Sequence, residues 1–384
     1  MMRVTVLDNI ENPRSTAGQE WESLVQSNEH AGIMQSLHWA EFKRKQGLDC
    51  LHVVVHDDAQ LIGGGIFYTA TNAKGAGILV CPEGPVLPWQ DEQRSEQALL
   101  LLLKCVADNA PRLQAMAVRI EPRLESAPSW VFRGFGRAPF DLVPRETMYM
   151  DLTKPEPDLL AAMHPKGRYN IATAARHGVR VQEEAFSSKT INRLYAMLLQ
   201  AGRRNGFIVE PLSFFSDLAE TLCPGGFAHL FFAEHEGETL GALLLPTYGE
   251  RATYLYGGIG NTKRELMAGY ALQWAAIKAA RQAGCLTYDM YGYDQFCAPD
   301  NPYARFSRFK RQFGGQVKRF VGAHDYFFIN RLADVVIKAF GELDQESSAV
   351  PAANPYVTVA NKNEPDIIAV KDWQKQSGSK VVTG

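Results

Sequence analysis

The two halves of this chain spell out the same order of elements, and a duplication of that kind leaves few architectures open. His52 to His56 alternates as a strand does, Asp57-Asp58 makes a turn, and Leu61 to Thr69 reads as a second, Gly-rich strand. Gly77 to Cys81 is a third strand running into Pro82-Glu83-Gly84-Pro85. Glu92 to Ala107 then has helical periodicity, and Ala115 to Ile120 is another apolar strand. The order recurs later: His229 to Glu234 as strand, His235 to Glu238 as turn, Leu240 to Tyr248 and Thr253 to Tyr256 as strands. A helix from about Arg264 to Ala283 and the strand Leu286 to Met290 complete it. Matching elements lie about 170 to 180 residues apart, too far for a solenoid and right for a duplicated domain.

Helices at Trp21 to Gln26 and Ser36 to Gln46 precede the first sheet; Glu156 to Gly178 and Ser188 to Asn205 precede the second. The expected domains are 1–147 and 148–317, with a strand near Lys318 to His324, in a segment reaching about 340, returning to complete the first. The stretch 345–384 mixes Ser, Pro, Asn and Lys without a period and reads as a loosely held tail.

The 40 basic and 42 acidic residues nearly cancel, so any site for a polyanion has to be local. The first residues lack the basic end and apolar run of a secretory signal, so the expected location is cytoplasmic. Ala98 to Leu103 is stopped by Lys104, far short of the ~20 apolar residues that span a bilayer. Cys50, Cys81, Cys105, Cys223, Cys285 and Cys297 are scattered singly, which fits a reducing compartment and predicts no metal site.

Between Asn301 and Gly322 stand Arg305, Arg308, Lys310, Arg311, Lys318 and Arg319, with no acidic residue among them. Tyr303, Phe306, Phe309, Phe313 and Phe320 interleave them, a combination suited to phosphates and nucleotides. Phe306, Phe309 and Phe313 sit at helical spacing and are assigned to the core. An amphipathic helix with a merely solvated basic face also fits that pattern. A second basic run, His164 to Asn170, opens a helix whose free N–H groups suit phosphate; a solvated helix stopped by Gly178 fits equally.

The run PKGRYNIATAARHGV resembles the helix signature of the FemABX peptidyltransferases. QSLHWAEFKRKQG, Arg203-Arg204-Asn205-Gly206-Phe207, YDMYG and RFSRFKRQFGGQVKRFVGAHDY resemble further segments of that family, in its order. The resemblance covers about Gln35 to Tyr326, and it implies an α/β fold of tandem acetyltransferase-like (GNAT-like) domains, each a mixed twisted sheet flanked by helices. From element order alone, another α/β sandwich stays open.

The resemblance also implies a reaction: the amine of a UDP-linked or lipid-linked muropeptide attacks the ester of an aminoacyl-tRNA, which serves as co-substrate with no other cofactor. Lys310, in the FK position, would be the catalytic residue, meeting negative charge on the carbonyl or the departing ribose. Trp39, Lys43, Arg168, Asn170, Arg204, Tyr254, Tyr256 and Phe309 would bind substrate. Arg305, Arg308, Arg311, Lys318 and Arg319 would hold tRNA phosphates. The expected protein is a monomer making transient contact with the cytoplasmic membrane face. No sustained heptad marks a coiled-coil arm, so the compact form of the family is the better comparison. Tyr291 and Tyr293 flank Gly292 where smaller residues are more usual in the family.

Three rivals stay open. A coenzyme A acetyltransferase should carry glycines at the start of the helix after the third strand, where this chain has Arg264-Glu265-Leu266-Met267-Ala268-Gly269 with Met267 in place of the first. A non-catalytic module could use the basic block to hold RNA. The same fold could also serve another acyl donor, or a different envelope or protein acceptor.

Overall fold

The computed structural model describes residues 1–7, 13–71, 77–296 and 303–328; Cys297, the side chain of Arg305 and the expected tail at 345–384 lie outside the described residues. The first half comprises β1 (Met2–Leu7), α1 (Thr16–Ser27), α2 (Leu37–Lys45), β2 (Cys50–Asp57), β3 (Gln60–Thr71), β4 (Gly77–Pro82), α3 (Glu92–Asn109), β5 (Ala115–Glu121) and β6 (Gly136–Arg137). The second comprises β7 (Glu146–Asp151), α4 (Glu156–Ala162), α5 (Pro165–Arg176), β8 (Arg180–Glu183), α6 (Ser188–Asn205), α7 (Leu212–Leu222), β9 (Ala228–His235), β10 (Glu238–Tyr248), β11 (Arg251–Thr253), β12 (Tyr256–Ile259), α8 (Ala268–Gln282) and β13 (Thr287–Asp289). Last come α9 (Ala304–Lys310), β14 (Gln316–Arg319) and β15 (His324–Phe327).

Each half builds one mixed sheet. The first runs β1-β2-β3-β4-β5-β15-β6 and the second β14-β7-β13-β11-β10-β9-β8, with β12 pairing on β10. Among the described residues, β4–β5 and β11–β13 are the parallel pairs, one in each sheet. The sheets are buried on both faces, which explains why their strands carry apolar residues at successive positions. In β2, Leu51, Val53 and Val55 face α3, whose Leu99, Leu102 and Val106 cover them, while Val54 faces the other way. In β9, Phe231 and Ala233 face α8, and Leu230 and Phe232 face the interior shared with the first domain. That shared core runs through Trp21 of α1, Phe42 of α2, Leu194 of α6 and Phe214 of α7. Each such side chain contributes roughly 1.5–3 kcal/mol on burial. The two domains are therefore joined by one continuous apolar layer.

Polar links reinforce the seam. Arg123, 3% exposed, donates to Glu83 of the first domain at 3.1 Å and to Asp289 of the second at 2.7 Å. Its guanidinium also meets the Tyr149 hydroxyl and lies 4.5 Å from the Phe320 ring centroid. Glu22 accepts from the Leu37 N–H at 2.6 Å and from the Tyr248 hydroxyl, and Arg251 donates to the carbonyls of Ala31 and Glu29.

Several expected elements are divided or displaced. The helix expected over Glu156 to Gly178 is two helices, because Pro165 has no N–H to give and forces the chain before it out of helical geometry. The helix expected from Arg264 starts at Ala268, since Lys263 and Met267 are left-handed, with φ of 46° and 57°, around a short 3-10 turn. The third strand expected at Thr253 to Tyr256 is cut in two between β11 and β12. The strand expected near Lys318 to His324 is also two: β14 pairs with β7 in the second sheet, and only β15 returns to β5 in the first. Helix α7 and the strands β1, β7 and β8 have no counterpart in the sequence reading.

Among the described residues, no helix is long and apolar enough to cross a membrane. Removing the Arg123 guanidinium leaves Asp289 buried without a cation and Glu83 with only the more distant Arg251, at 3.8 Å. Arg123→Met is expected to lower the unfolding free energy by about 3–5 kcal/mol in urea titrations; a loss under ~1 kcal/mol would show that the seam does not depend on this group.

Candidate functional site

The second sheet splits at its centre. Strands β11 and β13 run parallel from Arg251↔Thr287 to Thr253↔Asp289, and the last link is the Tyr254 N–H to the Asp289 carbonyl at 2.8 Å. Beyond it β12 stays on β10, from Leu244↔Tyr256 to Gly241↔Ile259, while the other strand turns away. That turn has left-handed residues at Tyr291 (φ 47°) and Gly292 (φ 68°), and a Cβ added at Gly292 would stand 2.5 Å from the Tyr303 ring. The result is an open V with Tyr254 to Ile259 on one arm and Met290 to Gly292 on the other.

Lys310, the last residue of α9, enters this V. Its Nζ donates to the Tyr291 carbonyl and, at 2.6 Å, to the Gly292 carbonyl, and it lies 5.6 Å from the Tyr254 ring centroid. It is 6% exposed. Burial pushes its pKa down from 10.5 to about 7, against the opposing pull of Asp289. Two of its donors hold the Tyr291–Gly292 turn, and only the protonated form has a third N–H to offer. Phe309, next to it, packs between Tyr270 (5.1 Å) and Phe313 (5.0 Å), which places it in the second core.

A second charged cluster sits where α2 meets α7. Lys43 Nζ lies 5.0 Å from the Phe42 ring centroid, 5.5 Å from Trp39 and 5.7 Å from Phe214. Tyr256, at the mouth of the V, packs on the same Phe214 (5.9 Å) and on Phe215 (5.2 Å). The Trp39 indole N–H is buried without a hydrogen-bond partner. Burial lowers the Lys43 pKa to about 8, opposed by Glu210; burial raises the Glu210 carboxyl to about 7, opposed by Lys43. Among the described residues no ion pair within 4.0 Å joins the two. Burial, then Glu210, pushes the Tyr256 hydroxyl upward, and Tyr256 in turn acts on Tyr291, so the two clusters are electrostatic neighbours.

The remaining expected residues are dispersed. Arg168 donates to the Ala161 carbonyl at 3.1 Å and to that of Met163, closing the end of α4. Asn170 is buried on α5. Arg204 ties the end of α6 to β12 through the carbonyls of Ile259 (2.8 Å) and Gly260 (3.2 Å) and the side chain of Asn261 (2.6 Å). Arg308 is exposed on α9, while Arg311 holds the Tyr293 hydroxyl at 3.0 Å and the Gln295 carbonyl at 2.6 Å. Lys318 pairs with Glu125 (2.6 Å) and Arg319 with Glu146 (2.9 Å), both on β14. The basic block is therefore shared between a helix and a strand, with acids drawn from elsewhere in the chain, and its charge is not one patch. Arg305 lies outside the described side chains.

Glu210 and the Glu83–Arg123–Asp289 link were missed by sequence reasoning, while Tyr291 and Tyr303 were noted only as members of a motif and of the basic block. For Glu210 a signal existed: it is the lone acid in the apolar stretch Phe207 to Phe215. For the link there was none, because its partners are distant in sequence. A separate polar cavity of about 520 Å³ opens at the other end of the strands, lined by His30, Arg123, Tyr149, Arg251, Lys318 and Phe320 among others.

The model of the FemAB family matches residues 16–129, and that of the acetyltransferase (GNAT) domain matches residues 165–311. A lipid II:glycine glycyltransferase of Staphylococcus epidermidis (strain RP62A) is 21% identical, over 83% of this chain and 94% of the relative. The crystal structure of FemX superposes with a TM-score of 0.74 at 20% identity, covering 83% of this chain and 98% of that one. A tandem GNAT protein from the clavulanic acid biosynthesis pathway superposes with a TM-score of 0.54 at 12% identity, covering 86% and 99%. The tandem acetyltransferase-like fold and the likeness to the FemABX family expected from the sequence are both borne out.

A lysine that releases its proton near pH 7 when folded and near 10.5 when unfolded binds fewer protons in the folded chain between those values, so folding strengthens as pH rises through that window. The native chain is expected to gain stability relative to Lys310→Met from about pH 7 toward 10.5 in denaturant titrations. Parallel pH slopes for the two would show that Lys310 titrates as an exposed lysine does.

Proposed function

We propose that this chain of the FemABX type is an aminoacyltransferase that moves an amino acid from the ester of an aminoacyl-tRNA to an amine of a peptidoglycan precursor peptide. The observation that carries this reading is the V between β12 and the turn after β13, with a near-neutral lysine inside it. Splayed strands leave backbone N–H groups free to hold an acyl carbonyl, and aminolysis of an ester needs little beyond an oxyanion partner and a well-placed neutral amine. The relatives named lipid II:glycine glycyltransferase support a precursor peptide as acceptor. A lipid-linked acceptor would bring the protein to the cytoplasmic face of the membrane, and a UDP-linked one would not.

In the reaction the acceptor nitrogen forms an amide bond to the ester carbonyl carbon, the bond from that carbon to the ribose oxygen breaks, and the ribose oxygen leaves with a proton. Lys310, held against two carbonyls, can direct its third N–H at the oxyanion formed on the way. Lys43 and Arg204, one on each side of the seam, and the partly buried Tyr256 suit the acceptor. Arg308 and Arg311, exposed on the outer side of Lys310, suit the donor's phosphates.

The test is single-turnover transfer from charged tRNA to each precursor, with the product weighed by mass spectrometry. Lys310→Met is expected to slow transfer about 100-fold at saturating donor, and Arg311→Ala to weaken donor binding and flatten its salt dependence. Wild-type rates from Lys310→Met would remove the lysine from the chemical step. In the same reading coenzyme A binds no tighter than about millimolar by calorimetry, because Met267 takes the left-handed position before α8 that a phosphate-cradling glycine would occupy. Micromolar binding with acetyl transfer would favour the coenzyme A reading instead.

A further inference from the structure

We propose that Glu210 is a catalytic carboxylate of this reaction: it receives the acceptor's ammonium group and takes the proton that must leave before the nitrogen can attack. The proposal rests on the aminoacyl transfer proposed above and adds a residue that no sequence motif pointed to.

Position comes first. Glu210 precedes Pro211, the residue that opens α7, and α7 packs on α2 of the other domain through Phe214 and Phe42, whose ring centroids are 4.9 Å apart. The carboxylate therefore stands at the seam between domains. Phe214 is the ring that both Lys43 and Tyr256 touch, and Tyr256 begins the arm of the V. Elimination comes second. The other acids around the seam are engaged: Glu83 by Arg123 and the Met34 N–H, Asp289 by Arg123, Thr147 and the Tyr291 N–H, and Glu22 by the Leu37 N–H and Tyr248. Among the described residues no hydrogen bond or ion pair occupies Glu210. A carboxylate at the seam that no protein donor occupies is open to an incoming ammonium.

The chemistry requires such a group. A peptide amine is an ammonium ion at neutral pH and has no lone pair until it loses a proton. Glu210 takes that proton, the neutral amine attacks the ester carbonyl, and the ribose oxygen departs with the second proton of the nitrogen. Glu210 then returns its proton to solvent. Burial has moved its carboxyl up to about 7, against the opposing charge of Lys43, which suits proton removal near neutrality. The charged group acting on it is Lys43 from α2; Glu210 in turn acts on Tyr256 of β12, and Cys50 on β2 acts on Lys43.

The test compares two acceptors on the full chain: the precursor peptide, and an analogue in which the acceptor amine is replaced by an aminooxy group, which is neutral at pH 7 and needs no base. With the amine, Glu210→Gln is expected to lose about 100-fold in single-turnover rate, with Glu210→Asp recovering part of it. With the aminooxy analogue, Glu210→Gln should match the wild type, and calorimetric binding of the analogue should be unchanged. Two results would overturn the proposal: an undiminished rate with the amine, or an equal loss with both acceptors, which would mark a positioning or folding role. If the wild-type chain transfers to neither acceptor, the aminoacyl-transfer reading itself fails, and the assignment of Glu210 falls with it.

Discussion

The guanidinium of Arg123 is the contact on which the rest of the arrangement depends. It closes the first domain by holding Glu83, just after β4, and it reaches into the second by holding Asp289 at the end of β13. Asp289 spends its other oxygen on Thr147 and on the Tyr291 N–H, and its backbone carbonyl takes the Tyr254 N–H. Tyr291 in turn gives its carbonyl to Lys310. A single buried charge in one domain thus fixes where the other domain's sheet divides and where the lysine in the division points. Because that charge is compensated on both sides, the link is rigid in a way that an apolar seam alone is not.

The sequence disclosed the skeleton of this arrangement for physical reasons that can be stated residue by residue. Hairpins such as Asp57-Asp58 and Glu236-Gly237 announce themselves through turn residues between alternating runs, and the duplicated order follows from them. The splitting of the third strand into β11 and β12 was invisible, because Thr253 to Tyr256 carries no proline or glycine to mark it; the split is imposed by Asp289 and by the chain leaving at Tyr291. The α4–α5 break could have been anticipated from Pro165. The left-handed Met267 could not, since nothing local distinguishes it from a helix residue.

At the site, Lys310, Lys43 and Tyr256 were legible through family likeness, and the structure gives them surroundings that a likeness does not carry. Lys310 and Arg168, expected from the family likeness to meet the reacting groups and the substrate, are tied to carbonyls in the fold. Lys318 and Arg319 read as one patch with Arg308 and are neutralised by Glu125 and Glu146, nearly 200 residues away along the chain for the first of these (|i−j| of 193). A near-neutral composition conceals such pairing, because charges that cancel in the total can cancel locally or not. Lys43, set against the rings of Trp39, Phe42 and Phe214, and Glu210, with no ion pair within 4.0 Å among the described residues, are a small part of the charge and carry most of the chemical interest.

The placement of β15 has a consequence for how the chain is made. In the first sheet this strand lies between β5 and β6, pairing with Val118 and its neighbours on one side and with Gly136 and Arg137 on the other. Arg119, buried in β5, has its carboxylate partner Asp325 on the same late strand, with contacts of 2.7 and 2.8 Å. A nascent first domain leaving the ribosome therefore holds an open sheet edge, and Arg119 lacks its carboxylate partner, until the whole of the second domain has been synthesised. The N-terminal half is obliged to wait for the C-terminal half, and it stays exposed to holdase chaperones and to wrong strand pairing for most of translation.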